Sequence, residues 1–313
     1  MKAAITGVGG FLGQHLGLRL LNEGWELIGY DINMPPHEIS AHPYMSFIKR
    51  DLSSEGPDPK EIEDIDVFFH LAGATQGARG DELFFLNKNE QIAINSFKAI
   101  RGKAKRIIFA SSQVIYGDIN SLSIDEEYEL KASDSAYACS KLNCENWLRF
   151  FQWKNDLISI SLRLTGFVEG GGVVDYFISK ALLNEPIEIY SLGTICRDYL
   201  AVSDGIQAFI SAAQIPYQQP CYDAFNIGSG QKISALELAR LVCEELGSSS
   251  QLIPVPKPAP RANFVYDINK AKKELGFSPK KINEAVISYL KTKQKILNKT
   301  TPASNRFISH END

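Results

Sequence analysis

The segment Thr6-Gly7-Val8-Gly9-Gly10-Phe11-Leu12-Gly13 constrains the fold more than any other part of the chain. It follows a short apolar run, Ala3-Ala4-Ile5, and opens an amphipathic stretch, His15-Leu16-Gly17-Leu18-Arg19-Leu20-Leu21. That order reads as strand, glycine turn, helix. Gly7, Gly10 and Gly13 recur at three-residue spacing. Gly7 can take a tight turn closed to other residues. Gly10 lets a diphosphate approach the backbone, and Gly13 lets the helix lie close on the strand. The helix N-terminus adds free N–H groups and a partial positive charge, which suit a diphosphate.

The next strand, Glu26-Leu27-Ile28-Gly29-Tyr30, ends at Asp31. An acidic residue about twenty positions past such glycines can bond adenosine ribose hydroxyls. It would also repel a 2′-phosphate, so NAD is expected rather than NADP. Alternation then continues, with strands expected at 3–6, 26–30, 46–49, 67–70, 106–110 and 157–162 and helices at 11–22, 82–100 and 134–151. This pattern predicts an α/β fold, a Rossmann-type doubly wound parallel sheet with helices on both faces. Ligands should bind at the carboxyl ends of its strands.

After Thr165 the character changes. Residues 166–172 hold four glycines, a loop expected near the site. Shorter elements follow: a helix at 173–183, a strand at 187–190, a helix at 204–213, and Phe225-Asn226-Ile227 running into the turn Gly228-Ser229-Gly230. Ser234 with Glu237 three residues on reads as a capping box for a helix over 235–246. Pro254, Pro256, Pro258 and Pro260 predict an extended segment, and 268–276 and 282–296 predict helices. The expected organisation is a cofactor domain over 1–165 with part of 198–228, and a smaller α+β substrate-binding region over 166–197 and 229–297. A polar, disordered tail is expected over 298–313.

Composition narrows the class. Apolar residues make up 44% of the 313 and charged residues 22%, enough for a sizeable globular core. A formal net charge of -4 gives no reason to expect nucleic acid or an anionic membrane as partner. No apolar run is long enough to span a bilayer, and the chain enters its first strand directly, so no signal peptide is expected. Cys139, Cys144, Cys196, Cys221 and Cys243 form no CxxC pair and read as reduced thiols of a cytoplasmic protein. The five histidines are scattered, so no metal site is expected.

The reactive groups gather around Tyr137-Ala138-Cys139-Ser140-Lys141. On a helix, positions i and i+4 share a face. Tyr137 and Lys141 would then point together, with Asp134 near the helix start. An ammonium beside a phenol favours the phenolate and so suits acid–base work. Upstream, Phe109-Ala110-Ser111-Ser112-Gln113-Val114 ends the fifth strand. Ser112 there can hold a substrate oxygen beside the phenol, although serines are also common in strand-end turns.

Together these residues resemble the extended short-chain dehydrogenase/reductases, within the NAD-dependent epimerase/dehydratase group acting on nucleotide sugars. The resemblance rests on the glycine turn, Asp31, Asp51-Leu52, His70-Leu71-Ala72-Gly73, Asn87, and Ser112 with Tyr137 and Lys141. It continues in Arg197-Asp198-Tyr199-Leu200 with Asp204 and in Asn226-Ile227-Gly228-Ser229-Gly230, and so spans residues 1 to 296. It implies catalysis by Ser112, Tyr137 and Lys141. Cofactor contacts would come from Gly7, Gly10, Phe11, Leu12, Gly13, Asp31 and Ile32, from Asp51 and Leu52 at the adenine, from Leu71, Ala72, Gly73 and Asn87, and from Tyr137 and Lys141. Substrate contacts would come from Gln113, Arg197, Lys257 and Arg261. Simpler readings stay open: Asp51 as a helix cap, His70 as core, Arg197 as an ion-pair partner of Asp198 or Asp204.

The resemblance also bears on the reaction. Dehydratases of this group carry an Asp-Glu pair just after the catalytic Ser/Thr, and related decarboxylases carry a glutamate there; this chain has Gln113 and Val114. Keto-sugar reductases of the group draw on NADPH, which Asp31 disfavours. A nucleotide-sugar 4-epimerase is the leading expectation. A reductase or dehydrogenase is the alternative, a dehydratase ranks behind both, and a non-enzymatic NAD-binding protein ranks last. Two departures stand out: Gly166 replaces an expected Asn, and Val168-Glu169-Gly170 replaces an aromatic-glycine-proline run. Phe150, Phe151 and Trp153 suggest an apolar face for a homodimer.

Overall fold

The structure is a computed structural model that describes residues 1–75, 82–132, 135–155, 157–259 and 262–300. The first region contains the strands β1 (Lys2–Thr6), β2 (Glu26–Asp31), β3 (Met45–Lys49), β4 (Ile65–His70), β5 (Ala104–Ser112), β6 (Ser121–Ile124) and β7 (Ile158–Leu164). Its helices are α1 (Phe11–Asn22), α2 (His37–Ser40), α3 (Glu82–Ala99) and α4 (Ala136–Asn155). The second region adds β8 (Gly166–Phe167), α5 (Val173–Leu182), β9 (Ile187–Ile189), β10 (Cys196–Arg197), β11 (Tyr199–Leu200), α6 (Val202–Gln214) and β12 (Cys221–Ile227). It ends with β13 (Ile233–Ser234), α7 (Ala235–Leu246), β14 (Leu252–Pro254), β15 (Phe264–Tyr266), α8 (Asn269–Leu275) and α9 (Ile282–Thr300).

Among the described residues the principal sheet has seven strands in the order β12-β7-β5-β4-β1-β2-β3, all parallel. Strand order reverses between β1 and β4, so a crevice opens beyond their carboxyl ends. This is the expected doubly wound fold. The period of two in each strand feeds two separate cores. Ala3, Ile5, Val67, Phe69, Ile108, Ile160 and Leu162 face α1 and α6, meeting Leu16, Leu20 and Phe209. Ala4, Phe68, Ile107 and Phe109 face α3 and α4, meeting Ile92, Phe97 and Leu148. A third cluster joins α5, α7 and α9 through Phe177, Ile178, Leu238, Val242 and Val286.

The capping box forms as read: Ser234 Oγ accepts from Glu237 N, and Glu237 Oε2 accepts from Ser234 N. The helix α9 runs three residues into the segment expected to be tail, because no breaker occurs before Pro302; residues 301–313 lie outside the described ones. A four-stranded sheet, β13-β10-β15-β6, was not foreseen. Its strands are two to four residues long, too short to show a period. No helix among the described residues is long and apolar enough to cross a membrane.

Candidate active site

A cleft of about 640 Å³ lies along the carboxyl ends of β1, β2, β4, β5 and β7. Its floor is the turn after β1. Gly7 has φ +77°, a region that glycine alone adopts freely. A Cβ on Gly13 would lie 1.9 Å from Gly7 O, so α1 can approach the turn only with glycine there. The first turn of α1 has no side-chain cap and no acidic residue, and Gly10 N already donates to Gly7 O, so the N–H groups of Phe11, Leu12 and Gly13 are the ones left for the cleft.

Asp31 leaves the end of β2 and lines the same cleft with Ile32. Its Oδ2 accepts from Gly9 N at 2.8 Å and its Oδ1 from Asn33 N at 2.9 Å. The carboxylate is therefore fixed to the glycine turn. Asp51 and Leu52 follow β3 into the cleft. The Ser53 hydroxyl and N–H, with Lys88 Nζ at 3.1 Å, hold the Asp51 carboxyl below its usual range. Arg50, which the sequence reading passed over, lines the cleft beside them, forked onto Glu61 at 2.7 and 2.9 Å.

Leu71, Ala72 and Gly73 form the wall after β4. Thr6 Oγ1 accepts from Leu71 N and Ala72 N and meets His70 Nδ1 at 3.1 Å, tying β1 to this wall. His70 is core: burial, aided by the Lys141 charge, lowers its pKa to about 3. Asn87 does not line the cleft. It is exposed and lies in a shallow depression with Ser53 and Gln91. Asn89 takes the inward place, accepting from Ala74 N at 2.7 Å and donating to Ala74 O and Ser140 Oγ. The cause is helical phase: Asn89 shares a face with Ile92, Ala93 and Ser96, and a two-residue offset points Asn87 away.

Ser112, Tyr137 and Lys141 all line the cleft, where β5 ends and α4 begins. Ser112 ends β5 and its Oγ accepts from Val114 N at 3.4 Å, capping the short 3-10 helix Gln113–Tyr116. The Lys141 ammonium is buried, donates to Ala110 O at 2.9 Å, and sits 5.9 Å from the Tyr137 ring centre. The i, i+4 pair thus faces one way, onto the end of β5. Thr165 and Phe167 complete this end. Asp134 lies outside the described residues.

Gln113 and Arg197 lie just past Ser112 rather than among the cleft-lining residues. Arg197 donates to Gln113 Oε1 at 3.2 Å and to Ala262 O at 2.7 Å, with its guanidinium over the Phe264 ring. Asp198 instead accepts from Ser229, Gly230 and Tyr266, and Asp204 pairs with Lys280. Glu169 caps α6 by accepting from Val202 N. Lys257 is exposed, bonds Tyr190 Oη at 2.9 Å, and does not line the cleft. The sequence offered no sign of Tyr190, whose ring attracts the ammonium. Arg261 lies outside the described residues.

The glycine cradle, the uncapped helix and Asp31 fit a dinucleotide, because each opens backbone donors or an acceptor onto one elongated cleft. Comparison with known proteins agrees. A family model described as NAD dependent epimerase/dehydratase family matches residues 3–228. A putative UDP-glucose 4-epimerase of Methanocaldococcus jannaschii is 27% identical over 294 residues, covering 88% of this chain and 92% of that protein. The dTDP-4-dehydro-6-deoxyglucose reductase of Escherichia coli matches with the same identity and coverage. The structure of UDP-glucuronic acid 4-epimerase from Bacillus cereus in complex with NAD superposes with a TM-score of 0.81 at 23% identity, covering 97% of this chain and 99% of that one.

Proposed function

The chain belongs to the NAD-dependent epimerase/dehydratase family, and within it we propose that it inverts C4 of a nucleotide sugar through a transient 4-keto sugar. The observation that carries this reading is the convergence of Ser112, Tyr137 and Lys141 on the cleft that holds the glycine turn. The position after Ser112 is the amide Gln113, hydrogen-bonded to Arg197, where an elimination would need a carboxylate.

In this reading the Gly7–Gly13 turn would hold the diphosphate of NAD, Asp31 would bond its adenosine ribose, and Asp51 and Leu52 would flank its adenine. Bound there, it supplies a reversible hydride acceptor for the sugar carbon. Tyr137 takes the 4-hydroxyl proton as the carbon is oxidised and returns it after the sugar has turned over. Ser112 holds the reacting oxygen beside the phenol. Lys141, tied to Ala110 O, keeps a positive charge beside the Tyr137 ring. Arg197 meets the substrate diphosphate, which a guanidinium can fork. Residues 1–165 with part of 198–228 serve the cofactor, and 166–197 with 229–297 serve the substrate. The reading extends to a cytoplasmic homodimer, supported by the exposed Phe150 and Trp153 of α4, and a monomeric mass in solution would reject it.

The test is incubation with UDP-, GDP-, CDP- and dTDP-sugars, without added cofactor, followed by proton NMR. A new epimer with no net NADH change is the expected result. Turnover only when NADH or NADPH is supplied and consumed would replace this reading with a reductase, the activity named for the Escherichia coli relative.

A further inference from the structure

The polar cluster behind the reactive end has no part in the chemistry above. Glu145 is fully buried on α4, one turn after Lys141 and two after Tyr137. Its Oε1 accepts from Ser111 Oγ at 2.6 Å and from Arg163 Nε at 3.2 Å. Its Oε2 accepts from Arg163 Nη2 at 3.0 Å and from Tyr222 Oη at 2.9 Å. Arg149 reaches the same oxygen at 3.5 Å. Arg163 is equally buried, on β7 in register with Ser111 of β5 and Asn226 of β12. Its Nη1 donates to Tyr116 Oη at 2.8 Å, and Tyr116 Oη donates to Asn226 Oδ1 at 2.7 Å.

Every piece of the reactive end is thereby indexed to one ion pair. Ser111 precedes Ser112. Tyr116 closes the 3-10 helix that begins at Gln113. Glu145 stands on the face of α4 that carries Tyr137 and Lys141. We infer that Glu145 and Arg163 are a positioning pair, which sets where Tyr137 and Lys141 stand relative to Ser112. A buried ion pair is a poor source of stability beside apolar side chains of similar volume, because both charges lose their hydration. A fork of fixed geometry instead excludes sliding of α4 along the sheet, where leucines would tolerate it.

The inference rests on the proposed role of Tyr137, so its test includes a readout that needs no sugar substrate. The double variant Glu145→Leu with Arg163→Met removes both charges and keeps the volume. Glu145→Asp retracts the carboxylate and keeps the charge. Melting temperature, affinity for NADH and affinity for ADP are measured on each, with kcat and KM once a substrate is known. In the proposed binding mode ADP would reach only the glycine turn and Asp31, whereas NADH would extend to Lys141. The double variant should lose less in melting temperature than Glu145→Leu alone, because no charge is left unpaired although the Ser111 and Tyr222 hydroxyls lose an acceptor, and it should keep its ADP affinity while its NADH affinity falls toward that for ADP. Its kcat should fall about a hundredfold at little cost in KM, the size expected when reacting groups are displaced by about 1 Å. Glu145→Asp should show the same direction with a smaller loss. A folded double variant with native NADH affinity, or with native kcat where turnover is measurable, overturns the inference. If the native chain converts no nucleotide sugar, the proposed reaction fails, and the NADH-to-ADP ratio still decides the positioning role.

Discussion

The two ends of the cleft are shaped by opposite means. At the glycine end, room is made by omitting side chains. A Cβ on Gly7 would come within 2.8 Å of Ala72 N, and one on Gly9 within 2.6 Å of Asn33 O. At the Ser112 end, geometry is held by buried charge, with Glu145 and Arg163 spanning α4, β5 and β7. The first end is specified by backbone, so it tolerates no added atom. The second is specified by a hydrogen-bonded fork, so it tolerates no lost partner. Substitutions that add a methyl at one end and remove a charge at the other should separate these two modes.

The largest effect is expected at the charged end. Glu145→Leu alone leaves Arg163 buried without its carboxylate, which should cost about 3–5 kcal/mol of stability. Urea denaturation measures it, as a lower midpoint at unchanged slope. A loss below about 1 kcal/mol would mean that the guanidinium finds other partners, and that this end is not held by the pair. Gly13→Ala should come next, because its Cβ meets a backbone carbonyl that cannot rotate aside. Overpacking of this kind costs about 1–3 kcal/mol. Here NAD affinity should fall as well, since relief requires moving the turn. Calorimetric titration with NAD reads this, and native affinity would show that the turn is more adaptable than its spacing implies.

Those two ends also differed in how well they could be read in advance. The glycine turn is legible because its constraints are local: Gly7, Gly10 and Gly13 are contiguous with the strand and helix they join. Tyr137 and Lys141 are legible for the same reason, being one helical turn apart. Glu145 and Arg163 were not, because their partners come from separate elements that meet only when the sheet assembles. One trace lay in β7, where Ser159, Ser161 and Arg163 alternate with Ile158, Ile160, Leu162 and Leu164. Of these, Ser161 meets Tyr222 and Arg163 meets Glu145, whereas the buried Ser159 hydroxyl has no partner among the described residues, so the alternation marks a polar face without naming its partners. The exchange of Asn87 for Asn89 is a different failure. Both asparagines lie on α3, and the phase of the helix decides which of them turns inward. The contact of Lys257 with Tyr190 joins two segments 67 residues apart, which no local pattern signals.

A third prediction concerns His70, which lies beneath the wall joining the two ends. Folded His70 stays neutral, with its pKa lowered to about 3 mainly by burial, whereas the unfolded chain titrates near the usual 6.5. The unfolded state therefore binds the extra proton first. The contribution is full above pH 6.5 and is lost as pH falls toward 3, amounting to about 2 kcal/mol between pH 7 and pH 5. Asp198 acts in the opposite sense. Burial raises its pKa to about 6 from the usual 3.8, so the folded state gains stability as pH falls through that window. Subtracting the pH profile of His70→Phe from that of the native chain isolates the histidine. Parallel profiles from pH 7 to pH 5 would show that His70 is protonated in the fold.

The smallest effect is expected far from both ends, and it serves as their control. Ser234→Ala breaks the capping box of α7 and leaves the Glu237 N–H without its acceptor. The cost should be about 1 kcal/mol, since the helix keeps its apolar contacts with α5 and α9. Neither NAD affinity nor the ratio of NADH to ADP affinity should change, because α7 packs in the third core, which among the described residues shares none with the cleft. That outcome makes loss of stability alone insufficient to disturb the cleft. A change in the NADH-to-ADP ratio in the two charge variants would then report position rather than general loosening. If Ser234→Ala did lower that ratio, the third core would be coupled to α4, and the distinction between the two ends would reduce to overall stability.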